Sequence, residues 1–259
     1  MLIGHDLLSI GSGGMVGFTL GLVGGGGSIM AVPLLVYVVG VASPHVAIGT
    51  SAVAVAASAA ANLAGHARAR TVKWGCAAAF SVAGVAGAAV GAHLGKLVDG
   101  GRLLTLFGML MIAIGLLMLR PRRSGGNPAV RLTRASMHLL PWLIGIGFCV
   151  GALSGFFGIG GGFLIVPGLM AATGMPLINA IGSSLLAVTA FGLTTAISYS
   201  ASGLVDWPLA GLFILGGAAG GLLGIRLAGR LSSHKHALTR IFSGIVIAVG
   251  AYVVVRGAM

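Results

Sequence analysis

The chain reads as an all-α integral membrane protein built from a duplicated unit of inverted topology, each copy a glycine-broken helical hairpin followed by three transmembrane helices. Three observations predict this. Of its 259 residues, 57% are hydrophobic and 7% charged, where a soluble domain carries roughly a quarter charged. The charges are clustered and leave uncharged stretches at 7–67, 74–95, 103–119, 135–205, 207–225 and 241–255, and a helix of about 20 such residues crosses a bilayer. The sequence also repeats itself at an offset of 133 to 135 residues, and such periodicity is to be sought before any local reading.

The repeat is carried by particular residues. Gly17 to Gly27 followed by Pro33 matches Gly151 to Gly161 followed by Pro167. Ile48-Gly-Thr-Ser51 matches Ile181-Gly-Ser-Ser184, Val72-Lys-Trp74 matches Val205-Asp-Trp207, and Gly84, Gly87 and Gly91 match Gly217, Gly220 and Gly224. Residues 1–120 form the first membrane repeat and 139–259 the second. Between them, 121–138 is basic and contains Pro, Gly and Ser, which predicts a cytoplasmic surface linker.

Each copy opens on one long apolar segment, 7–40 and 139–173. The first would reach about 50 Å as a single helix, against a hydrocarbon core of about 30 Å, and Gly24 to Gly27 interrupt it. Two arms meeting at a glycine turn are therefore predicted, the second arms starting at Ser28 and Phe163. Three simpler segments follow in each copy, at 44–65, 74–97 and 103–119, then at 178–199, 207–228 and 238–255.

Basic residues set the orientation. If each long segment returns to its starting side, the second copy is inverted, and loops 66–73, 120–134 and 226–240 share one side. They then hold 12 of the 15 Lys and Arg, leaving Lys96, Arg102 and Arg256 opposite. A parallel arrangement lowers that split to 9 against 6, so positive-inside bias favours inversion, with both termini outside. The N-terminus, MLIGHDLLSIG, lacks a basic n-region, so the first segment is expected to stay in the mature protein. Cys76 and Cys149 lie in apolar stretches and read as small core side chains. The net charge of +12 belongs to cytoplasmic loops in such a protein and does not indicate a nucleic-acid partner. The expected partners are the lipid bilayer and a small anionic substrate; the sequence leaves the oligomeric state open.

Inverted repeats with broken helices at matching positions point to a secondary transporter, its substrate held at the repeat interface. Irregular backbone is tolerated at membrane depth only where protein or a water-filled cavity satisfies it. Gly24, Gly25, Gly26 and Gly27 in one copy, and Gly158, Gly160, Gly161 and Gly162 in the other, would supply such backbone. A helix N-terminus facing each turn offers N–H groups and a positive dipole end to an anion. The paired hydroxyls Thr50, Ser51, Ser183 and Ser184 are candidate further donors. Against this, glycines also serve close helix packing in membranes, and intramembrane Ser and Thr often bond their own preceding turn. Ser28, Ser154, Thr194, Thr195 and Asn62, which the repeat does not pair, read as packing residues.

What is missing matters as much. The three carboxylates, Asp6, Asp99 and Asp206, all fall at segment ends, so no membrane-embedded Asp or Glu is available as proton relay or cation ligand. No carboxylate pair, metal-ligand spacing or base beside a nucleophile appears, which argues against an enzyme and predicts neither metal nor cofactor. The glycine runs do not complete a dinucleotide-binding fingerprint. His45, His66 and His93 sit near segment ends as interfacial residues, where a histidine can also titrate. Trp74 and Trp207 read as interface anchors. Two other readings stay open: a carrier for another small solute or cation, held by exposed carbonyls, and a scaffold whose glycines only pack.

The two runs Gly21-Leu-Val-Gly-Gly-Gly-Gly-Ser-Ile-Met-Ala-Val-Pro33 with Ala47-Ile-Gly-Thr-Ser51, and Gly155-Phe-Phe-Gly-Ile-Gly-Gly-Gly-Phe-Leu-Ile-Val-Pro167 with Ala180-Ile-Gly-Ser-Ser184, resemble the sulfite exporter TauE/SafE family, the toluene sulfonate uptake permease superfamily. The likeness runs from about residue 7 to 255. It implies a multi-pass transporter of the bacterial inner membrane that handles sulfur-containing anions such as sulfite, thiosulfate, sulfoacetate or organosulfonates. The site it implies comprises Gly24 to Ser28, Thr50, Ser51, Gly158 to Gly162, Ser183 and Ser184. The second copy has Ser183 where the first has Thr50, which keeps the hydroxyl.

Overall fold

The computed structural model describes residues 2–119, 139–158, 160, 162–230 and 235–257, and no strand occurs among them. The basic linker at 121–138 lies outside the described residues. The first hairpin starts with α1 (Leu2–Val23), which runs into a 3₁₀ segment (Gly24–Met30), one turn of α2 (Ala31–Pro33) and a π-helical segment (Leu34–Val39). Pro33, which cannot donate to the helical ladder, stands where the α turn gives way to the π turn. The chain leaves this arm through Gly40 at φ 84°, a left-handed C-cap that glycine adopts freely.

Three long helices complete the first half: α3 (Pro44–Arg68), α4 (Trp74–Leu97) and α5 (Gly100–Leu119). The second half consists of α6 (Leu140–Phe157), α7 (Gly162–Thr173), α8 (Leu177–Ser200), α9 (Trp207–Arg230) and α10 (Lys235–Gly257). Local chemistry sets the helix starts. Ser43 accepts from the Val46 N–H, with Pro44 in the first turn of α3. Asp99 accepts from the Gly101 and Arg102 N–H groups at 3.1 and 3.2 Å, and Asp206 from the Leu209 N–H at 3.0 Å. Two of the three carboxylates thus stand at membrane-helix ends because each caps a helix there, where the dipole also favours negative charge.

Among the described residues six helices, α3, α4, α5, α6, α8 and α9, contain a stretch long and apolar enough to cross a membrane. Helix α1 packs along α9, α4 along α6, α5 along α10, and α3 crosses α8 at the centre. Lipid tails are as apolar as the side chains, so helices in a bilayer gain most by bringing backbones close through small residues. The glycines do this here. A Cβ at Gly17 would overlap the Gly217 carbonyl, one at Gly220 the Gly14 carbonyl, one at Gly151 the Gly84 carbonyl and one at Gly155 the Ala88 carbonyl. Large apolar side chains such as Val82, Leu97, Ile197 and Leu215 point outward, as a lipid-facing surface requires. Trp74 and Trp207 are more than half exposed at the starts of α4 and α9, as interface anchors would be. Thr50, Ser51, Ser183 and Ser184, on α3 and α8, are all 0% exposed.

Three expectations need correction. Cys149 is exposed on α6 and is not a core side chain, whereas Cys76 is buried as expected. The return arm of the first hairpin is not a plain helix starting at Ser28, because the four successive glycines open a 3₁₀ segment, Gly24–Met30, that folds back against α1. In the second hairpin the arm begins at Gly162, one residue before the expected Phe163.

Candidate substrate site at the glycine turns

The second turn is built on backbone that only glycine adopts readily. Gly158 has φ 66° and closes α6, its N–H donating to the carbonyls of Ser154 and Gly155. Gly160 has φ 65°, and Gly161 lies outside the described residues. A Cβ at Gly158 would overlap Cγ2 of Ile48, and one at Gly160 would come within 3.0 Å of Val55 and 3.4 Å of Val188. The turn is therefore wedged between α3 and α8. Helix α7 starts directly after it, and the first N–H groups of a helix have no acceptor inside it. These donors, with the positive end of the α7 dipole, face the turn.

The first turn differs. In a 3₁₀ segment each N–H pairs with the carbonyl three residues back, so from Gly27 onward the donors are committed. Gly27 folds onto α1, where a Cβ would overlap the Leu20 nitrogen. The Thr19 hydroxyl lies 3.0 and 2.9 Å from the Met15 and Val16 carbonyls and 3.5 Å from that of Gly27. The segment Gly24–Met30, in which Ser28 is fully buried, contacts both α7 and α8, so the two hairpins meet. The segment carrying the first glycine run thus lies against α7 and α8, and the second turn is held between α3 and α8.

The four paired hydroxyls do two different jobs. Thr50 Oγ1 accepts from the Asp206 N–H at 3.0 Å, and Ser183 Oγ accepts from the Lys73 N–H at 2.9 Å. Ser51 donates to the Ile48 carbonyl at 2.9 Å and lies 3.5 Å from that of Gly158; Ser184 donates to the Ile181 carbonyl at 2.8 Å. The hydroxyl protons of Ser51 and Ser184 are thus held by their own helices, as expected of serine in apolar surroundings. Among the packing candidates, Thr194 and Asn62 bond back to Ala190 and Ser58, whereas Ser154 and Thr195 are buried with no hydrogen-bond partner in the protein. Asn179, one turn before Ser183, was not singled out in the sequence; its side-chain amide donates to the Thr71 carbonyl at 2.8 Å. The available signal was a polar residue one helical turn before a repeated Ser.

Asp6, Asp99 and Asp206 are all exposed, and among the described residues no three His, Cys, Asp or Glu side chains cluster as a metal site would need. A bundle of apolar spanning helices around two touching hairpins defines a multi-pass integral membrane protein. The family model for the sulfite exporter TauE/SafE matches residues 9–253, and the chain belongs to that family of membrane transporters. It is 56% identical over 256 residues to a "Probable membrane transporter protein" of Xylella fastidiosa (strain 9a5c), covering 99% of this chain and 97% of that one. It is 28% identical over 268 residues to the "Probable membrane transporter protein YunE" of Bacillus subtilis (strain 168), covering 94% and 96%. No solved structure matches the chain.

Proposed function

We propose that this protein is a secondary transporter that carries small sulfur-containing anions, of the sulfite, thiosulfate, sulfoacetate or organosulfonate type, by alternating access. The observation that carries the reading is the Gly158–Gly160 turn wedged between α3 and α8, with α7 beginning behind it. An oxyanion entering there meets backbone N–H groups and a positive dipole end, which replace part of its hydration shell. No intramembrane carboxylate repels it. Ser51 is the hydroxyl beside the turn, and rotating its proton from Ile48 toward the ligand would add a donor. Thr50 and Ser183 hold the ends of α9 and α4 in place around the site.

Inverted repeats are part of the same proposal. Thr50 and Ser183 are equivalent positions, as are Lys73 and Asp206, and each hydroxyl takes its N–H from the opposite half. The α1–α9 and α4–α6 pairs exchange partners in the same way. A two-fold relation between the halves accounts for this pattern, and with its axis in the membrane plane, rocking of one half against the other would open the turn alternately to each side.

The test is uptake of sulfite and thiosulfate into proteoliposomes. Gly160→Leu and Gly26→Leu are each expected to abolish transport while leaving folded protein in the membrane; transport retained in both variants sinks the turn as the site. A ligand at ~100 times its dissociation constant should stabilise the detergent-purified protein by about 2.7 kcal/mol. A stability shift with sodium or carboxylates instead of sulfur oxyanions would reassign the cargo.

A further inference from the structure

At the end of the bundle where α3 begins and α8 ends, Tyr199 is 0% exposed, and its hydroxyl has no hydrogen-bond partner in the protein. Nδ1 of His45 is equally shielded and also unpartnered, and the two rings lie 6.5 Å apart. Lys96, from the last turn of α4, places Nζ 5.8 Å from the Tyr199 ring and donates to the Ser198 carbonyl at 3.1 Å and the Ser202 hydroxyl at 3.0 Å. Those two bonds leave one of its three donors and its whole charge, since no carboxylate among the described residues pairs with it.

Shielding a hydroxyl and a ring nitrogen from water without partners is costly, and a protein keeps such groups together where something else satisfies them. The chemistry here is one-sided. Tyr199 offers a donor, as does His45 Nδ1 in the tautomer that carries hydrogen there, Lys96 offers donor and charge, and Lys96 is bonded to the Ser198 carbonyl and the Ser202 hydroxyl. Lys96 Nζ stands at the solvent edge of this cluster, where a small anion would meet its charge as well as the buried donors. The location is also specific: Ile48, whose side chain lies against Gly158, follows His45 by one helical turn on α3.

We propose that Tyr199, His45 and Lys96 form an anion-receiving site that takes a small oxyanion between bulk solvent and the Gly158–Gly160 turn. The idea rests on the transport reading above, since an anion held there lies one turn from the wedge that would admit it. The three side chains come from three helices, so the site exists only when α3, α4 and α8 are assembled.

Binding of sulfite, thiosulfate and inorganic phosphate to the purified full chain, by titration calorimetry, tests it. Tyr199→Phe removes only the hydroxyl, and Lys96→Gln only the charge; each is expected to weaken anion binding about tenfold, with Lys96→Arg restoring most of it. Gly160→Leu is expected to stop transport and remove binding at the turn, while the component of binding that Tyr199→Phe and Lys96→Gln weaken persists. Phosphate binding that depends on Tyr199 and Lys96 in a chain indifferent to sulfite and thiosulfate would uphold the receiving site and overturn the sulfur cargo. Anion binding unaffected by Tyr199→Phe and Lys96→Gln but erased by Gly160→Leu would overturn the receiving site and uphold the turn. A wild-type chain that binds none of the three anions overturns the receiving site.

Discussion

The Thr50 hydroxyl and the Asp206 backbone, 156 residues apart in the chain, are joined by a 3.0 Å hydrogen bond in which the Asp206 N–H donates to Thr50 Oγ1. Asp206 in turn caps α9 through the Leu209 N–H. One buried threonine of the first half therefore fixes where a helix of the second half begins. The Lys73 N–H and Ser183 make the equivalent bond in reverse.

Removing either acceptor deletes a part-buried hydrogen bond between the halves, so Thr50→Val and Ser183→Ala should each destabilise the protein by about 1 kcal/mol. Thr50→Ser, which keeps the oxygen, should cost much less. Thermal unfolding in detergent checks this, and equal losses in Thr50→Val and Thr50→Ser would show that the methyl packing matters more than the bond.

Gly158→Ala meets two obstacles, a left-handed φ of 66° and the Ile48 side chain. The backbone alone should cost about 1–2 kcal/mol. Adding Ile48→Ala removes the overlap but not the strain, so the double variant should recover part of the transport lost, measured in proteoliposomes, without reaching the wild-type level.

The interface glycines should separate from the lipid-facing ones. Gly17→Leu and Gly151→Leu force a side chain into the opposite backbone of α9 and α4 and should prevent stable folding. A Cβ at Gly11 or Gly145 meets nothing within 4 Å, so alanine there should leave thermal stability unchanged or raise it by about 0.5 kcal/mol.

Buried hydroxyls with no partner in the protein should be dispensable for the fold. Ser154→Ala and Thr195→Val should leave the unliganded protein as stable as before or slightly more so, because they remove a desolvated group. Loss of the stabilisation by sulfite in either variant would place that hydroxyl against the anion.

Reporter fusions at residue 126 and at the C-terminus read the orientation. Positive-inside bias over loops 66–73, 120–134 and 226–240 puts the first in the cytoplasm and the second outside. A cytoplasmic C-terminus would rule out the inverted arrangement.

Much of the architecture was legible because membrane helices announce themselves in composition. The starts of α4 at Trp74 and α9 at Trp207 follow from where charge stops and apolar sequence begins. The breaks in the two long segments were legible because a segment too long for one crossing is interrupted by glycine. The asymmetry between the two turns was not. Gly24 to Gly27 and Gly158 to Gly162 look alike in the sequence, yet one tightens into a 3₁₀ segment that folds against α1 and the other stops α6 in the left-handed region. Short glycine runs have several backbone states close in energy, and contacts with Ile48, Val55 and Val188 select one.

The hydroxyl pairs divide in the same way. That Thr50-Ser51 and Ser183-Ser184 are paired hydroxyls within apolar segments was set by the repeated motif alone. That Ser51 and Ser184 bond their own helices while Thr50 and Ser183 reach across to the other half was decided by the crossing of α3 and α8. Nothing in the sequence brings His45, Lys96 and Tyr199 together, since they belong to three helices and only two of them to the same half. By itself the sequence determined which segments live in lipid, because transfer of apolar residues from water is a local, additive property. The tertiary structure decided which polar atoms meet, because a hydrogen bond depends on distance and direction between groups that the chain leaves far apart.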